Sequence, residues 1–146
     1  MNTRELFARL IKCEAGGEGI DGMQAVATVI MNRATVSYGE FFRISQGGDI
    51  RNIILQTGQF VCARTSVSGQ YNPQNIYNMS LEPIDYKVAD WAIGGNLLNA
   101  VGNSLFFFNP YSEICPMTFP PNGVGTFYSR VGNHCFYAPT EKYAST

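Results

Sequence analysis

The stretch Glu14-Ala15-Gly16-Gly17-Glu18-Gly19 sets the tightest limit on how this chain folds. An apolar run leads into it. Leu6, Phe7, Leu10 and Ile11 recur at helical spacing, and Ala15 continues the same face. Asn2 and Glu5 precede the run at N-cap and N3, a capping-box spacing with Asn in place of the usual Ser or Thr. A helix over residues 3–15 is therefore predicted, and Gly16-Gly17 must end it. At ~100° per residue, Glu14 falls on the Leu10 side of the stripe. There it is expected to lose part of its water, and desolvation raises a carboxyl pKa. Glu18 falls among glycines where the helical run breaks. An acid at a helix end beside a glycine-lined gap suits proton donation into a groove. A surface or ion-paired acid is the competing reading, and position alone does not separate the two.

A second helix is predicted over residues 22–35, with Asp21 as its cap. Met23, Val26, Ala27, Val29, Ile30 and Met31 leave it little polar face, so it should be central and buried. Residues 36–49, with Gly39, Gly47 and Gly48, read as loop. Asp49 suits the cap of a short helix through Ile53, Ile54 and Leu55. Residues 58–80 read as a long polar loop, of the kind that usually carries function. Pro83 opens a third long helix that stops at Gly94-Gly95. Asp85 and Asp90 are expected on its exposed side. Leu105 to Phe108 read as a short strand ended by Asn109-Pro110. Residues 111–125 read as loop. Thr126–Val131 and His134–Tyr137 read as strands joined by a Gly132-Asn133 turn. With no repeat and no low-complexity linker, residues 1–146 are read as one α+β domain, helices first and a short sheet last.

Charge narrows the function. Only 14% of the residues are charged, against about 25% in ordinary domains, and the net charge is −1. No basic block supplies a nucleic-acid footprint. The polar surface must come from Asn, Gln, Ser, Thr, Gly and Tyr, a composition that suits a neutral polar polymer such as a glycan. No apolar run is long enough to span a bilayer. Met1-Asn2-Thr3-Arg4-Glu5 lacks the pattern of a signal peptide, so synthesis in the cytoplasm is expected.

Most acids have plain roles as caps or surface charges, and only Glu14 and Glu18 sit in a glycine-lined break beside an apolar face. His134 is the single histidine, and lone histidines are more often structural than catalytic. The four cysteines, Cys13, Cys62, Cys115 and Cys135, fit no zinc spacing. They are read first as partly buried free thiols. Cys115–Cys135 is the preferred pairing if a bridge forms, because both lie in the loop-and-strand end. A Cys–His nucleophile pair is possible but unspecific. Aromatics crowd the last third, including Phe106, Phe107, Phe108, Tyr111, Phe119, Phe127, Tyr128, Phe136 and Tyr137. Neighbours in Phe106–Phe108 should face opposite ways, one side to the core and the other to a groove.

Taken jointly, these motifs resemble the SleB/CwlJ family of spore cortex-lytic cell wall hydrolases. The likeness rests on Glu14-Ala-Gly-Gly-Glu18-Gly, Gly22-Met-Gln-Ala-Val-Ala and Asn32-Arg33. Gly58-Gln59-Phe60, Phe106-Phe-Phe-Asn109-Pro110 and Gly132-Asn133-His134-Cys-Phe136-Tyr137 follow in the family's order. It runs from about residue 5 to 143. Cys115-Pro116 and the ending His134-Cys-Phe-Tyr-Ala-Pro-Thr140 look most like the CwlJ branch, whereas Gly132-Asn133 looks more like the SleB branch. The resemblance implies a small lysozyme-like α+β domain that cuts peptidoglycan glycan strands in the spore cortex during germination. It implies a lytic transglycosylase with Glu14 as the single catalytic acid and muramic-δ-lactam as the recognised feature. Gln59, Phe60, Asn109, Tyr128 and His134 are expected to line the groove, with Glu18 in an orienting or structural role. The alternatives are a muramidase or glucosaminidase using Glu14 with Glu18, a non-catalytic glycan-binding coat protein, and an amidase using Cys and His. No metal ligands and no required cofactor are expected. Calcium enters as a candidate activator, a coat protein as a candidate partner, and the coat/cortex boundary as the expected location. Many members of the family carry Arg where this chain has Gly16.

Overall fold

The computed structural model describes residues 1–146. The first helix, α1 (Thr3–Ala15), starts as predicted: the Asn2 side chain accepts a hydrogen bond from the Glu5 N–H at 2.8 Å. Glu5 turns its carboxylate to Arg9, 3.1 Å away. The apolar stripe Leu6, Phe7, Leu10 and Ile11 is fully buried, which contributes about 1.5–3 kcal/mol per large side chain.

α2 (Gly19–Thr35) begins three residues earlier than predicted. Asp21 therefore stands in its first turn and does not cap it. Glu18 takes the N-cap position, and its side chain makes no capping bond because it is engaged elsewhere. The helix is central as expected, packing on α1 and on α5 (Pro83–Ile93). Residues 36–49 are not all loop: Gly39–Ser45 form α3, which buries Phe41. Asp49 caps α4 (Ile50–Ile54) through a bond from the Arg51 N–H at 2.9 Å. In α5, Asp85 is buried rather than exposed. Its carboxylate accepts the Glu82 N–H at 2.8 Å and closes the first turn. Asp90 is exposed and pairs with Arg4.

Between α4 and α5 the chain is mostly irregular. It holds a small hairpin, β1 (Ser66–Val67) and β2 (Gln70–Tyr71), flanked by single 3-10 turns at Val61–Ala63 and Ile76–Asn78. The sheet comes last. β3 (Phe106–Phe108), β4 (Gly125–Val131) and β5 (His134–Pro139) form an antiparallel sheet in the order β3-β5-β4. Placing β5 in the middle buries Cys135, Phe136 and Tyr137 completely. A last short helix, α6 (Glu141–Ala144), buries Tyr143, whose hydroxyl donates to the Tyr38 carbonyl at 2.8 Å.

The two halves share one core of 31 buried residues. The end of α2 links them. Asn32 donates to the carbonyls of Gly102 and Ser104, each at 3.0 Å, and Arg33 donates Nε–H to the Leu105 carbonyl at 2.7 Å. These bonds hold the start of β3 on α2. The free-thiol reading of the cysteines is overturned. Cys13 is bonded to Cys62 and Cys115 to Cys135, with Cα atoms 6.5 Å and 5.9 Å apart. The second bridge is the preferred pairing from the sequence. The first was out of reach of spacing, because it joins α1 to a 3-10 turn across 49 residues. No helix is long and apolar enough to cross a membrane.

Candidate active site

Where α1 ends, its last turn faces β3 and the segment 59–62 across a groove. The cavity around Glu14 measures about 540 Å3, and Arg33, Gln59, Phe60, Phe107, Phe108, Asn109 and His134 line it. Glu14 is half-buried, and its carboxyl opens into this space. Loss of water pushes its pKa up to about 7, against the smaller opposing pull of the Arg33 charge. A carboxyl with that pKa is protonated in a large share of molecules near neutrality and can also exist as the carboxylate. Both forms are needed by a group that gives and then takes a proton. The Cys62 sulfur lies 3.8 Å from Glu14 Oε1, so the Cys13–Cys62 bridge forms one wall beside the acid.

Glu18 behaves differently. Its Oε1 accepts the Asn133 N–H at 2.8 Å and faces His134 Nδ1 at 3.1 Å; its Oε2 accepts the Asn133 side-chain amide at 3.1 Å. Burial alone would raise this carboxyl, but the bonds from Asn133 and His134 outweigh it and hold the pKa below the ordinary value. Glu18 thus stays a carboxylate and ties the α1–α2 corner to the β4–β5 turn. Gly132 permits this approach. Its φ of 59° is left-handed, and a Cβ there would sit 2.6 Å from Glu18 Oε1. His134 is buried and faces Glu18, with Phe107 edge-on to its ring.

Arg33 is the site residue that the sequence reading passed over. It is fully enclosed and lies over the rings of Phe41, Phe60 and Phe106, 4.4, 5.4 and 5.9 Å from their centres. Burial lowers its pKa to about 10, with Glu40 and Glu14 pulling the other way, so it remains a cation at neutrality. One guanidinium NH donates to Gln59 Oε1 at 3.1 Å, which fixes the amide that reaches the groove. The available signal was a charged residue at the end of an otherwise apolar helix.

The β3 aromatics alternate in their packing partners, but the expected split into a core side and a groove side does not hold, because Phe107 and Phe108 both line the cavity and Phe106 is buried. Phe107 packs with Phe60, Phe136 and His134, whereas Phe106 and Phe108 pack with Phe119. Tyr128 does not join the groove wall. A bulge between Phe127 and Ser129 takes it out of the regular ladder, and its half-exposed ring lies against Gly102. Cys13, Glu14 and Cys62 are the one grouping with metal-ligand atoms close together, and both sulfurs are committed to the disulfide. Gly16 leaves no room for a side chain in the present backbone: a Cβ would stand 2.5 Å from the Lys12 carbonyl oxygen.

Two further cavities continue the groove. One, of about 640 Å3, shares Lys12, Cys13, Glu14 and Val61 with it and extends along Asn72, Gln74, Asn75 and Asn78. The other, about 700 Å3, shares Asn109 and runs along Ser112, Glu113, Arg130 and Asn133. The Glu14 cavity therefore opens into two adjoining spaces, whose walls mix amide side chains with apolar and charged groups.

Comparison with known proteins gives concordant matches. The profile of a family described as Cell Wall Hydrolase matches residues 17–137. The cell wall hydrolase CwlJ of Oceanobacillus iheyensis is 31% identical over 137 residues, covering 93% of this chain and 86% of that protein. CwlJ of Bacillus subtilis is 30% identical over 136 residues, covering 93% and 84%. Among solved structures, the catalytic domain of the germination-specific lytic transglycosylase SleB from Bacillus anthracis superposes with a TM-score of 0.62 at 22% identity, over 94% of this chain and 96% of that domain. The Bacillus cereus SleB catalytic domain gives 0.63 at 24% identity, over 92% and 88%. These structural matches support the fold alone: a lysozyme-like arrangement of N-terminal helices and a small C-terminal sheet.

Proposed function

The chain belongs to the cell wall hydrolase family, and from that premise we propose that it cuts the glycan strands of spore cortex peptidoglycan as a lytic transglycosylase, with Glu14 as its only acid and base. One observation carries this reading. Of the two carboxyls in the central groove, Glu14 opens into the cavity, whereas both oxygens of Glu18 are taken up by Asn133 and His134 in tying two segments together, which leaves Glu18 unfit to serve as the second working carboxyl. A hydrolase of the usual kind needs two working carboxyls, at ~5–5.5 Å for retention or ~6.5–9.5 Å for inversion. Intramolecular transfer needs one.

The steps balance with the residues present. Protonated Glu14 gives its proton to the glycosidic oxygen, and the bond from that oxygen to C1 of the muramic residue breaks. The 6-hydroxyl oxygen of the same sugar bonds to C1, and its proton passes to the Glu14 carboxylate. The product is a 1,6-anhydro end, and Glu14 is returned protonated. Between the two transfers Glu14 carries a negative charge, which the buried Arg33 cation stabilises. Phe60, Phe107 and Phe108 keep the surroundings poor in water, which limits water as a competing nucleophile. Action at the coat/cortex boundary, with a coat protein holding the enzyme there, belongs to the same reading.

Mass spectrometry of products from purified cortex peptidoglycan containing muramic-δ-lactam tests the chemistry. Anhydro-muramic ends are expected. Reducing ends in their place would overturn the transglycosylase assignment and make Glu14 the acid of a hydrolase.

A further inference from the structure

We propose that Tyr111 is a sugar-stacking platform that sets the register of the glycan strand across Glu14, an inference that rests on the function proposed above. Tyr111 is the one side chain shared by the central cavity and both arms. It is 92% exposed, so its ring adds almost nothing to the core. Single exposed aromatics are common and need no function. This one is set apart by its place at the junction of three cavities and by how firmly its backbone is held.

Tyr111 has φ 51°, a left-handed conformation uncommon for a bulky residue. Its N–H donates to Asn109 Oδ1 at 2.8 Å, which closes the turn directly after β3. The other end of the loop is fixed twice. Cys115 is bridged to Cys135 in β5, and the Tyr137 hydroxyl donates to the Pro116 carbonyl at 2.8 Å. A short loop anchored at both ends therefore projects an aromatic ring into a groove. An aromatic ring on such a loop loses little conformational freedom on binding, because few torsions remain to be frozen.

The ligand chemistry follows from the walls. A β-linked pyranose presents axial C–H bonds on one face and hydroxyl and N-acetyl groups at its rim. The C–H face matches an aromatic ring, whose face is apolar and electron-rich. The rim groups match the amides of Gln74 and Asn78 on one arm and of Asn109 and Asn133 on the other. A strand whose ring is held at Tyr111 is fixed in register at the place where the arms meet the Glu14 cavity. Tyr111 is then a positioning residue: it does not move a proton but decides which linkage lies at Glu14.

The test measures binding of cortex glycan strands to the Glu14→Gln protein by calorimetry, with and without a change at Tyr111. Tyr111→Ala is expected to weaken binding about tenfold or more, while Tyr111→Phe and Tyr111→Trp keep it. In the active enzyme, Tyr111→Ala should raise KM more than it lowers kcat and spread the product lengths, with thermal unfolding unchanged. Affinity within twofold of the parent after Tyr111→Ala would overturn this inference alone and leave the proposed function standing. Equal losses with Ala and Phe would also overturn it, because they would assign the effect to the hydroxyl. If Glu14→Gln binds no glycan and the active protein releases none, both this inference and the function beneath it fail.

Discussion

Glu14 joins stability and activity in one side chain, and their pH dependences run in the same direction. Its pKa is about 7 in the folded protein, against ~4.3 for a free glutamate. The folded state therefore holds a proton between these values that the unfolded chain has lost. Stability from this group is fully present below ~4.3 and is lost as pH rises through about 7, by on the order of 3–4 kcal/mol in total. Glu14→Gln removes the titration. The variant is expected to melt higher than the parent at pH 8 and at the same temperature near pH 4.5, as read by paired thermal unfolding curves. Proton donation has the same sign, and the rate of bond cleavage in the parent should fall as pH rises through about 7. A parent that is no less stable than Glu14→Gln at pH 8 would show that the carboxyl is not desolvated in the fold. Glu18 has the opposite sign. Its lowered pKa makes its contribution present above ~4.3 and lost as pH falls through the folded value. The sequence placed both acids correctly in one glycine-lined break. Apart from the family resemblance, nothing in it separated their chemistry, because what distinguishes them is Asn133 and His134, more than a hundred positions away along the chain.

The Gly132-Asn133 turn is the partner that gives Glu18 its role, so the α1–α2 corner and the β4–β5 hairpin should weaken together. Glu18→Gln keeps the size of the side chain but loses the carboxylate. One of its two accepting positions then faces Asn133 or His134 as a donor. A cost of about 1–3 kcal/mol is expected, as for other hydrogen bonds to buried charge, measured by urea unfolding at pH 7. No loss at that pH would mean that the corner is held by packing alone. The Cys115–Cys135 bridge acts on the same sheet. It closes a separation of 20 residues, for which loop-closure entropy gives about 3 kcal/mol. A Cys115→Ser, Cys135→Ser pair should lower the melting temperature under oxidising conditions and shrink its response to thiol reductant to the part that the remaining Cys13–Cys62 bridge supplies. Elements with their own local signals were readable in advance: α1 from its stripe and cap, α5 from Pro83 and Gly94, and the hairpin from Gly132-Asn133. α3 and α6 were not, because helices of 7 and 4 residues are too short to show a period and exist through the packing of Phe41 and Tyr143. Tyr128 was misplaced for another reason. It was expected in the groove on the family resemblance alone, and a bulge in β4 takes it out of the regular ladder.

Helices and sheet meet along a shared core, and the groove lies on the surface where they join. That placement makes the site a product of both halves: Glu14 and Arg33 come from helices, and Asn109 and His134 from the sheet and the loop that leaves it. It also leaves the Glu14 cavity open into two adjoining spaces, the arm at 72–78 and the arm at 109–133. An active site blocked at one end would accept only strand termini and release small fragments from the first turnover. An acid cavity that opens into two arms has room for sugars beyond the cleaved linkage, and so for the middle of a strand. The chain is therefore expected to cleave internally. Size analysis of cortex glycan during digestion should show mean strand length falling steeply while disaccharides are still scarce. Early and linear release of disaccharide, with long strands persisting, would mean that one arm is closed to glycan. The low charge of the molecule fits the internal mode, because an enzyme with few ionic anchors can slide along a repeating polymer, and only 14% of the residues carry charge. Internal cleavage should accordingly change little between low and high salt. A steep fall in rate with added salt would instead assign substrate capture to the cations that line the arms, Lys12 and Arg130 among them.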